Sequence, residues 1–256
     1  MESGQFIDWA AGGTVPGAGL LTLRRLLETS VDTMLAIGGT KDALIAFSRS
    51  SWFERKDDMR VYNRPLKPWR RFQDGPKTPR ELARFARDTY RIWYPNLAAS
   101  AGWDCRPAGP SDPIFCPEPP AYASIVRTRL WFDYLTRCPA LKTRLVTLER
   151  DGIPKGHAFL AFQGGRVQVS DFTLANDCPR ADQIAAFSTV IRYVSADPDA
   201  IEIIAGSSVE SVTAVLEATG LRLHSRVSVF LADPKRHFPP GTAIEVTPII
   251  GDLFYV

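Results

Sequence analysis

Thr143 to Leu174 reads TRLVTLERDGIPKGHAFLAFQGGRVQVSDFTL. Asp151-Gly152 and Gly164-Gly165 interrupt runs rich in Val, Leu and Phe, and such dipeptides supply the positive φ angles that two-residue hairpin turns need. The stretch is therefore expected to form three strands in an antiparallel meander. Downstream, helical and strand-like segments alternate. A helix is expected over Arg180 to Ser195, a strand over Ile201 to Ala205, a helix over Val209 to Thr219 stopped by Gly220, and a strand over Leu221 to Ala232. Strand-like runs return from Ile244 to Val256. The fold class expected is α/β, with a mixed, mostly antiparallel central sheet flanked by helices.

Upstream of the meander, Ser124 to Cys138 has a helical pattern that places Val126, Leu130, Tyr134 and Leu135 on one face. Gly102 to Pro120 is a Pro-rich connection with a short strand near Trp103 to Arg106. Thr78-Pro79 opens a helix that Pro95 closes after Tyr94, because Pro suits a first helical turn and disfavours helix before it. On that helix Arg80, Arg84, Arg87 and Arg91 form a single basic stripe. A solvent-facing stripe is the ordinary reading, and a phosphate, RNA or membrane contact is the alternative. Pro65 to Pro79, rich in Pro and basic residues, reads as a linker.

The chain has 256 residues, 45% of them hydrophobic, which is ample for a substantial core. No run reaches the roughly 18 apolar residues of a membrane span. The N-terminus lacks the basic start and apolar core of a signal peptide. A cytoplasmic protein without membrane contact is expected. Cys105, Cys116, Cys138 and Cys178 are too irregularly spaced for a zinc knuckle, and free thiols are expected. His157, His224 and His237 show no ligand pairing, so no metal is expected. The formal net charge of +3 hides 13 Lys/Arg against 6 Asp/Glu between Arg49 and Arg91.

The first 66 residues repeat the order seen after the meander. A strand over Phe6 to Ala11 leads into Gly12-Gly13-Thr14-Val15-Pro16-Gly17-Ala18-Gly19, then a Leu-rich helix over Leu20 to Thr29. A strand over Val31 to Ile37, a helix over Lys41 to Arg49 and a strand over Trp52 to Leu66, with a charged turn at Lys56-Asp57-Asp58, follow. A Gly-rich loop between strand and helix offers unblocked N–H groups and a favourable helix dipole to a phosphate. No Gly-Lys-Ser/Thr follows it, and Thr22 stands where a dinucleotide fingerprint has its third Gly.

Pro16-Gly17-Ala18-Gly19, the Leu-rich helix, the next strand and the helix leading into Ser51-Trp52-Phe53 resemble the acyl-CoA-binding half of GNAT-superfamily N-acyltransferases. There an Arg/Gln-x-x-Gly-x-Gly/Ala loop holds the CoA pyrophosphate. Arg127 to Cys138, the meander, Gly220-Leu221 and Gly251-Asp252-Leu253-Phe254 resemble a second such unit in tandem. Thr14 departs from the Arg or Gln that begins the loop, and Ala175-Asn176-Asp177-Cys178-Pro179-Arg180 lacks Gly altogether. Only five residues precede Phe6, so the first unit is expected to be half a domain or to begin too late.

The resemblance implies transfer of an acyl group, acetyl in the first instance, from acyl-CoA to the amine of a small-molecule or peptide acceptor. It places the donor's pyrophosphate on the backbone of Val15, Gly17, Ala18, Gly19 and Leu20. It makes Asp8 and Asp171 the carboxylate candidates for general base, each of which also reads as a strand-end Asp making local hydrogen bonds. The Tyr that commonly protonates the leaving thiolate falls on Phe47 and Leu216, neither of which donates a proton. The units expected are 1–72, a partial GNAT-like unit; 73–101, a basic linker and helix; and 102–256, a complete unit. Two other readings stay open: a non-catalytic degenerate GNAT-like binding or structural protein, and a Fem-type aminoacyl transferase. The last needs a nucleic-acid surface, for which the Arg stripe is the only sign; a nucleic-acid partner is otherwise not expected.

Overall fold

The computed structural model describes residues 3–5, 24–26, 28–29, 31–74, 77–93, 102–116, 122–124, 126–137, 139, 141–239 and 241–250. The chain begins with β1 (Ser3–Gln5), β2 (Thr33–Ile37), α1 (Lys41–Arg49), β3 (Phe53–Arg55) and β4 (Met59–Pro65). Helices α2 (Pro68–Asp74) and α3 (Pro79–Trp93) and the strand β5 (Trp103–Pro107) follow. Next come β6 (Tyr122–Ala123) and α4 (Arg129–Thr136), then β7 (Lys142–Arg150), β8 (Ile153–Gln163) and β9 (Arg166–Leu174). The last elements are α5 (Arg180–Ala196), β10 (Glu202–Ser207), α6 (Glu210–Ala218), β11 (Arg222–Val227), β12 (Val229–Ala232) and β13 (Ala243–Ile244).

The meander forms as the sequence predicts. Asp151 and Gly152 have φ of 52° and 77°, and Gly164 and Gly165 have 52° and 83°. Two consecutive positive φ angles give the turn twist that matches paired strands. β8 alternates as a strand buried on both faces must. Ala158 and Leu160 join a core with Phe187, Ile191 and Leu216 of α5 and α6, while Phe159 and Ala161 pack with Phe132 and Leu135 of α4. Helices therefore cover both faces.

The sheet built on the meander has seven strands in the order β11-β4-β10-β9-β8-β7-β5. All its pairings are antiparallel except β9 with β10. A second sheet has the order β1-β2-β12-β3, with β1 parallel to β2 and β12 antiparallel to both neighbours. The series β1-β2-β12-β3 repeats β9-β10-β4-β11 strand for strand and direction for direction. In each sheet the third strand of the series is borrowed: β4 comes from the first 72 residues, and β12 from the end of the second unit.

This exchange corrects two expectations. Trp52 to Leu66 and Leu221 to Ala232 each read as one strand, and each is two strands in different sheets. The first breaks at Lys56-Asp57-Asp58 and the second at Ser228, where the chain crosses from one sheet to the other. Gly38 donates to Ser228 O (2.8 Å) and Lys56 to Val229 O (2.9 Å), which ties the crossing together. Gly38 has φ of 68°, and a Cβ there would meet Val227 Cγ1 at 3.1 Å.

Two helices also differ from expectation. The Pro65 to Pro79 linker contains α2, whose Phe72 stacks on Phe85 of α3 at 4.8 Å. The helix expected over Ser124 to Cys138 is shorter, because Thr128 caps it by accepting from Trp131 N. Val126 precedes the cap, and Leu130 and Tyr134 are exposed while Phe132 and Leu135 are buried. The Phe132 ring packs tilted against Phe159 at 5.3 Å, on the buried face of the helix.

Candidate functional site

Two parallel strands that lose contact partway leave a wedge lined by unpaired backbone groups. β10 pairs with β9 only from Glu202↔Arg166 to Ala205↔Val169. Beyond that, the register between β8 and β9 shifts so that Ser170 is the extra residue. A bulge of this kind takes one residue out of the ladder and re-aims its neighbours. The wedge between β9 and β10 should then hold whatever satisfies the freed groups.

In this protein it holds the chain's own segment 245–250. Ile249 N donates to Ser170 O on the β9 side (3.0 Å), and Ser208 N donates to Val246 O on the β10 side (3.0 Å). Ser208 Oγ donates to Ile244 O and accepts from Val246 N, at 2.7 and 2.8 Å. Gly206 lets the segment come close, since a Cβ there would meet Pro248 Cγ and Arg60 O at 3.2 Å. Val246, Ile249 and Ile250 are buried, and a residual cavity of about 10 Å3 remains beside them. That is at most the room of one water.

A buried charge cluster lies under the same segment. Arg127 Nε and Nη2 grip Asp171 at 2.8 to 3.0 Å, and Nη1 reaches Glu245 Oε2 at 3.0 Å. His157 Nε2 meets Asp171 Oδ2 at 3.1 Å, while Phe115 N donates to His157 Nδ1. With Nδ1 accepting, the ring proton sits on Nε2 and points at the carboxylate. Burial pushes the Asp171 carboxyl up, but the Arg127 charge and the His157 and Arg127 hydrogen bonds outweigh it and hold it below the usual carboxylate range. Burial pushes Glu245 up, and Asp171 adds to this, against the weaker opposing pull of Arg127. The guanidinium thus ties β9 to the segment that fills the wedge.

Asp171, a candidate general base from the sequence, is 1% exposed and committed to Arg127 and His157 in this arrangement. A carboxylate held that way is a weak base. Asp8 and the loop residues Val15, Gly17, Ala18, Gly19 and Leu20 lie outside the described residues, as does the strand expected over Phe6 to Ala11. Their surroundings are described in part: β1 runs parallel to β2 from Ser3↔Thr33 to Gln5↔Leu35, and residues 24–26 and 28–29 are helical. Phe47 is buried between Phe53 and the borrowed Phe230, at 4.9 and 5.6 Å, and Leu216 is buried in the main core. The loop before α5 has no side-chain cap, and Asp182 in its first turn is bound by Arg150. That helix start faces a carboxylate already.

Arg127 and Glu245 were not singled out from the sequence. Nothing local marks them, since Arg127 meets Asp171 across 44 residues and Glu245 across 118. Cys105, Cys116 and Cys178 are free, and burial pushes the Cys105 thiol up to about 12. Among the described residues no group of His, Cys, Asp and Glu could hold a metal, and no helix is long and apolar enough to cross a membrane.

No protein-family model and no curated protein sequence matches the chain. Solved structures match in fold. A GCN5-related N-acetyltransferase from Anabaena variabilis ATCC 29413 superimposes with a TM-score of 0.51 at 11% identity, covering 85% of this chain and 51% of that one. A GCN5-related glucosamine N-acetyltransferase region of a fungal multi-domain β-N-acetylglucosaminidase gives 0.50 at 10% identity, covering 89% of this chain and 29% of that one. The chain thus spans about half or less of the length of these structures. Its seven-stranded, mostly antiparallel sheet flanked by helices and opened at one parallel pair is the fold of the GNAT superfamily.

Proposed function

We propose that the chain is an N-acyltransferase that moves an acyl group, acetyl in the simplest case, from acyl-CoA to the amine of a small-molecule or peptide acceptor, in the cytoplasm. The observation that carries this reading is the equivalence of the two parallel pairs. The pair β9–β10 is filled by segment 245–250. The pair β1–β2 occupies the same place in its own series and is connected through the Gly-rich sequence 12–19. N–H groups at such a loop suit a pyrophosphate. Val15, Gly17, Ala18, Gly19 and Leu20 are assigned to the donor, and Asp8 to the amine proton. In the transfer the amine nitrogen bonds to the thioester carbon, the C–S bond breaks, one proton leaves the nitrogen and one reaches the thiolate. With Phe47 and Leu216 at the usual Tyr positions, solvent supplies that last proton.

A non-catalytic role is the second reading, favoured by the filled wedge and by the two apolar side chains where a proton donor would stand. Release of free CoA thiol from acetyl-CoA, followed across a panel of primary amines, separates the two. Amine-dependent release that Gly17→Asp removes supports transfer. No release above the rate without protein supports the non-catalytic reading.

A further inference from the structure

The basic stripe expected on Thr78 to Tyr94 does not face open solvent alone. Arg80, Arg84, Arg87 and Arg91 of α3 face Arg222 and His224 of β11 across a groove of about 760 Å3. No carboxylate among the described residues lines it. β11 is the edge of the seven-stranded sheet, so one side of the groove is an open strand edge. Arg91 Nη2 fixes α3 to the sheet by donating to Asn63 O (3.2 Å).

The groove is built rather than merely charged. Asp88 is 4% exposed and sits behind three of the arginines, 2.8 Å from Arg87 and 3.8 and 3.9 Å from Arg91 and Arg84. One buried carboxylate therefore orders three guanidinium groups and neutralises one of them. Glu81, 3.8 Å from Arg84, also pairs with the stripe. The Nε atoms of Arg84 and Arg91 are buried and donate no hydrogen bond. Buried donors are normally satisfied, so these two guanidinium groups are held short of ideal pairing, Arg84 Nε being the atom that lies 3.9 Å from Asp88 Oδ2. Burial pushes the Arg91 guanidinium down, and Arg87 and Arg222 push it further against the pull of Asp88. Burial and Arg91 do the same to Arg64, which lies behind the groove. The arginines repel one another, and an anion between them relieves that repulsion.

We propose that the groove between α3 and β11 binds a ligand that presents several phosphate groups. Arginine suits this role because its fork meets phosphate oxygens two at a time. The arginines from residue 80 to residue 91 span about 16 Å of helix at the usual rise, longer than a single phosphate fills. A strand of nucleic acid and a small polyphosphate share this chemistry. The site is separate from the acyl-transfer reading and stands without it.

The test uses the full-length protein at low salt with two probes, a short fluorescein-labelled single-stranded oligothymidylate and inorganic tripolyphosphate. Three or four phosphate contacts by a single strand predict a log–log salt slope of about −2 to −3. Arg80→Glu with Arg222→Glu should weaken binding by at least about tenfold and flatten the slope by about 0.7 unit per lost contact. Both residues are exposed, and an acidic residue in the first turn of α3 favours the helix dipole, so the variant keeps its fold. Lys41→Glu with Arg180→Glu, exposed first-turn residues of α1 and α5, makes the same charge change elsewhere and should leave binding unchanged. Tripolyphosphate that displaces the oligonucleotide supports the shared site. Tripolyphosphate binding without oligonucleotide binding supports it too and identifies a small-molecule ligand. The proposal is overturned if neither probe binds, if tripolyphosphate fails to compete, or if the Lys41/Arg180 variant loses as much as the groove variant.

Discussion

Replacing Arg127 by Leu should cost about 3–5 kcal/mol of folding stability at pH 7, the usual cost of removing one partner from a buried ion cluster. Arg127, Asp171 and Glu245 are all buried, and among the described residues the guanidinium is the cation that pairs with both carboxylates. Without it, two carboxylates face each other out of water. Urea unfolding at pH 7 measures the loss. Arg127→Lys should recover only part of it, because an ammonium cannot grip Asp171 with two nitrogens while reaching Glu245 with a third.

The pH dependence carries a sign that packing alone would not give. In the wild type, the folded Asp171 carboxyl lies below its ordinary value of about 3.9, so its contribution is present above that pH and is lost as pH falls through the folded value. Glu245 is raised, so the folded state takes up its proton first, and its share of stability falls as pH rises through the folded value. From these two groups, the wild type gains slightly on acidification from pH 7 towards about 5 and loses below about 4. In Arg127→Leu both carboxyls are raised by burial, so acidification from pH 7 to 5 should restore a larger part of the lost stability. A deficit independent of pH would contradict the ion-cluster account.

Ending the chain after Ile244 should have the second large effect. Val246, Ile249 and Ile250 are 0%, 5% and 1% exposed, and each such side chain contributes about 1.5–3 kcal/mol on burial, an upper estimate. Ile249 and Ile250 pack with Phe132 and Phe159, so the loss reaches α4 and the meander as well as the wedge. Thermal unfolding should move down by well over ten degrees, given the roughly 2–4 °C per kcal/mol of a chain this size. A dye that fluoresces on apolar surface should bind the shortened chain and not the full one. Should that chain prove insoluble, Ile250→Ala gives the same sign at about 2–5 kcal/mol. An unchanged melting point would mean that segment 245–250 only rests on the wedge.

Much of this fold is legible in the sequence because its signals are local. Asp151-Gly152 and Gly164-Gly165 fix two turns by backbone chemistry alone, and Lys41 to Arg49 and Arg180 onward carry helical periodicity. What is not legible is long-range. Trp52 to Leu66 shows its break only as the charged turn Lys56-Asp57-Asp58, and Leu221 to Ala232 looks continuous, because a strand that changes sheets keeps its β-propensity on both sides of the crossing. The choice between pairing within a unit and pairing across units is made by tertiary contacts such as Phe230 on Phe47. Val126, Leu130 and Tyr134 misled for a related reason, since an apolar helix face does not say whether a neighbour exists to cover it.

The candidate site divides the same way. The Gly-rich stretch from Gly12 to Gly19 is found by composition alone. Asp171 is legible as a carboxylate on the strand before a loop, but its partners are not, because Arg127 and Glu245 come from distant loops. The division into 1–72, 73–101 and 102–256 follows the order of the sequence signals. The strand pairings place β4 inside the larger sheet and β12 inside the smaller one.

We propose that the acyl donor is taken at the first unit's Gly-rich loop and that the wedge between β9 and β10 is closed to it. Isothermal titration of acetyl-CoA into the wild type, Gly17→Asp and Glu245→Gln measures this directly. Micromolar binding in the wild type and in Glu245→Gln, with none in Gly17→Asp, is the predicted result. Binding that survives Gly17→Asp, or a wild type that gives no heat at millimolar acetyl-CoA, would contradict it.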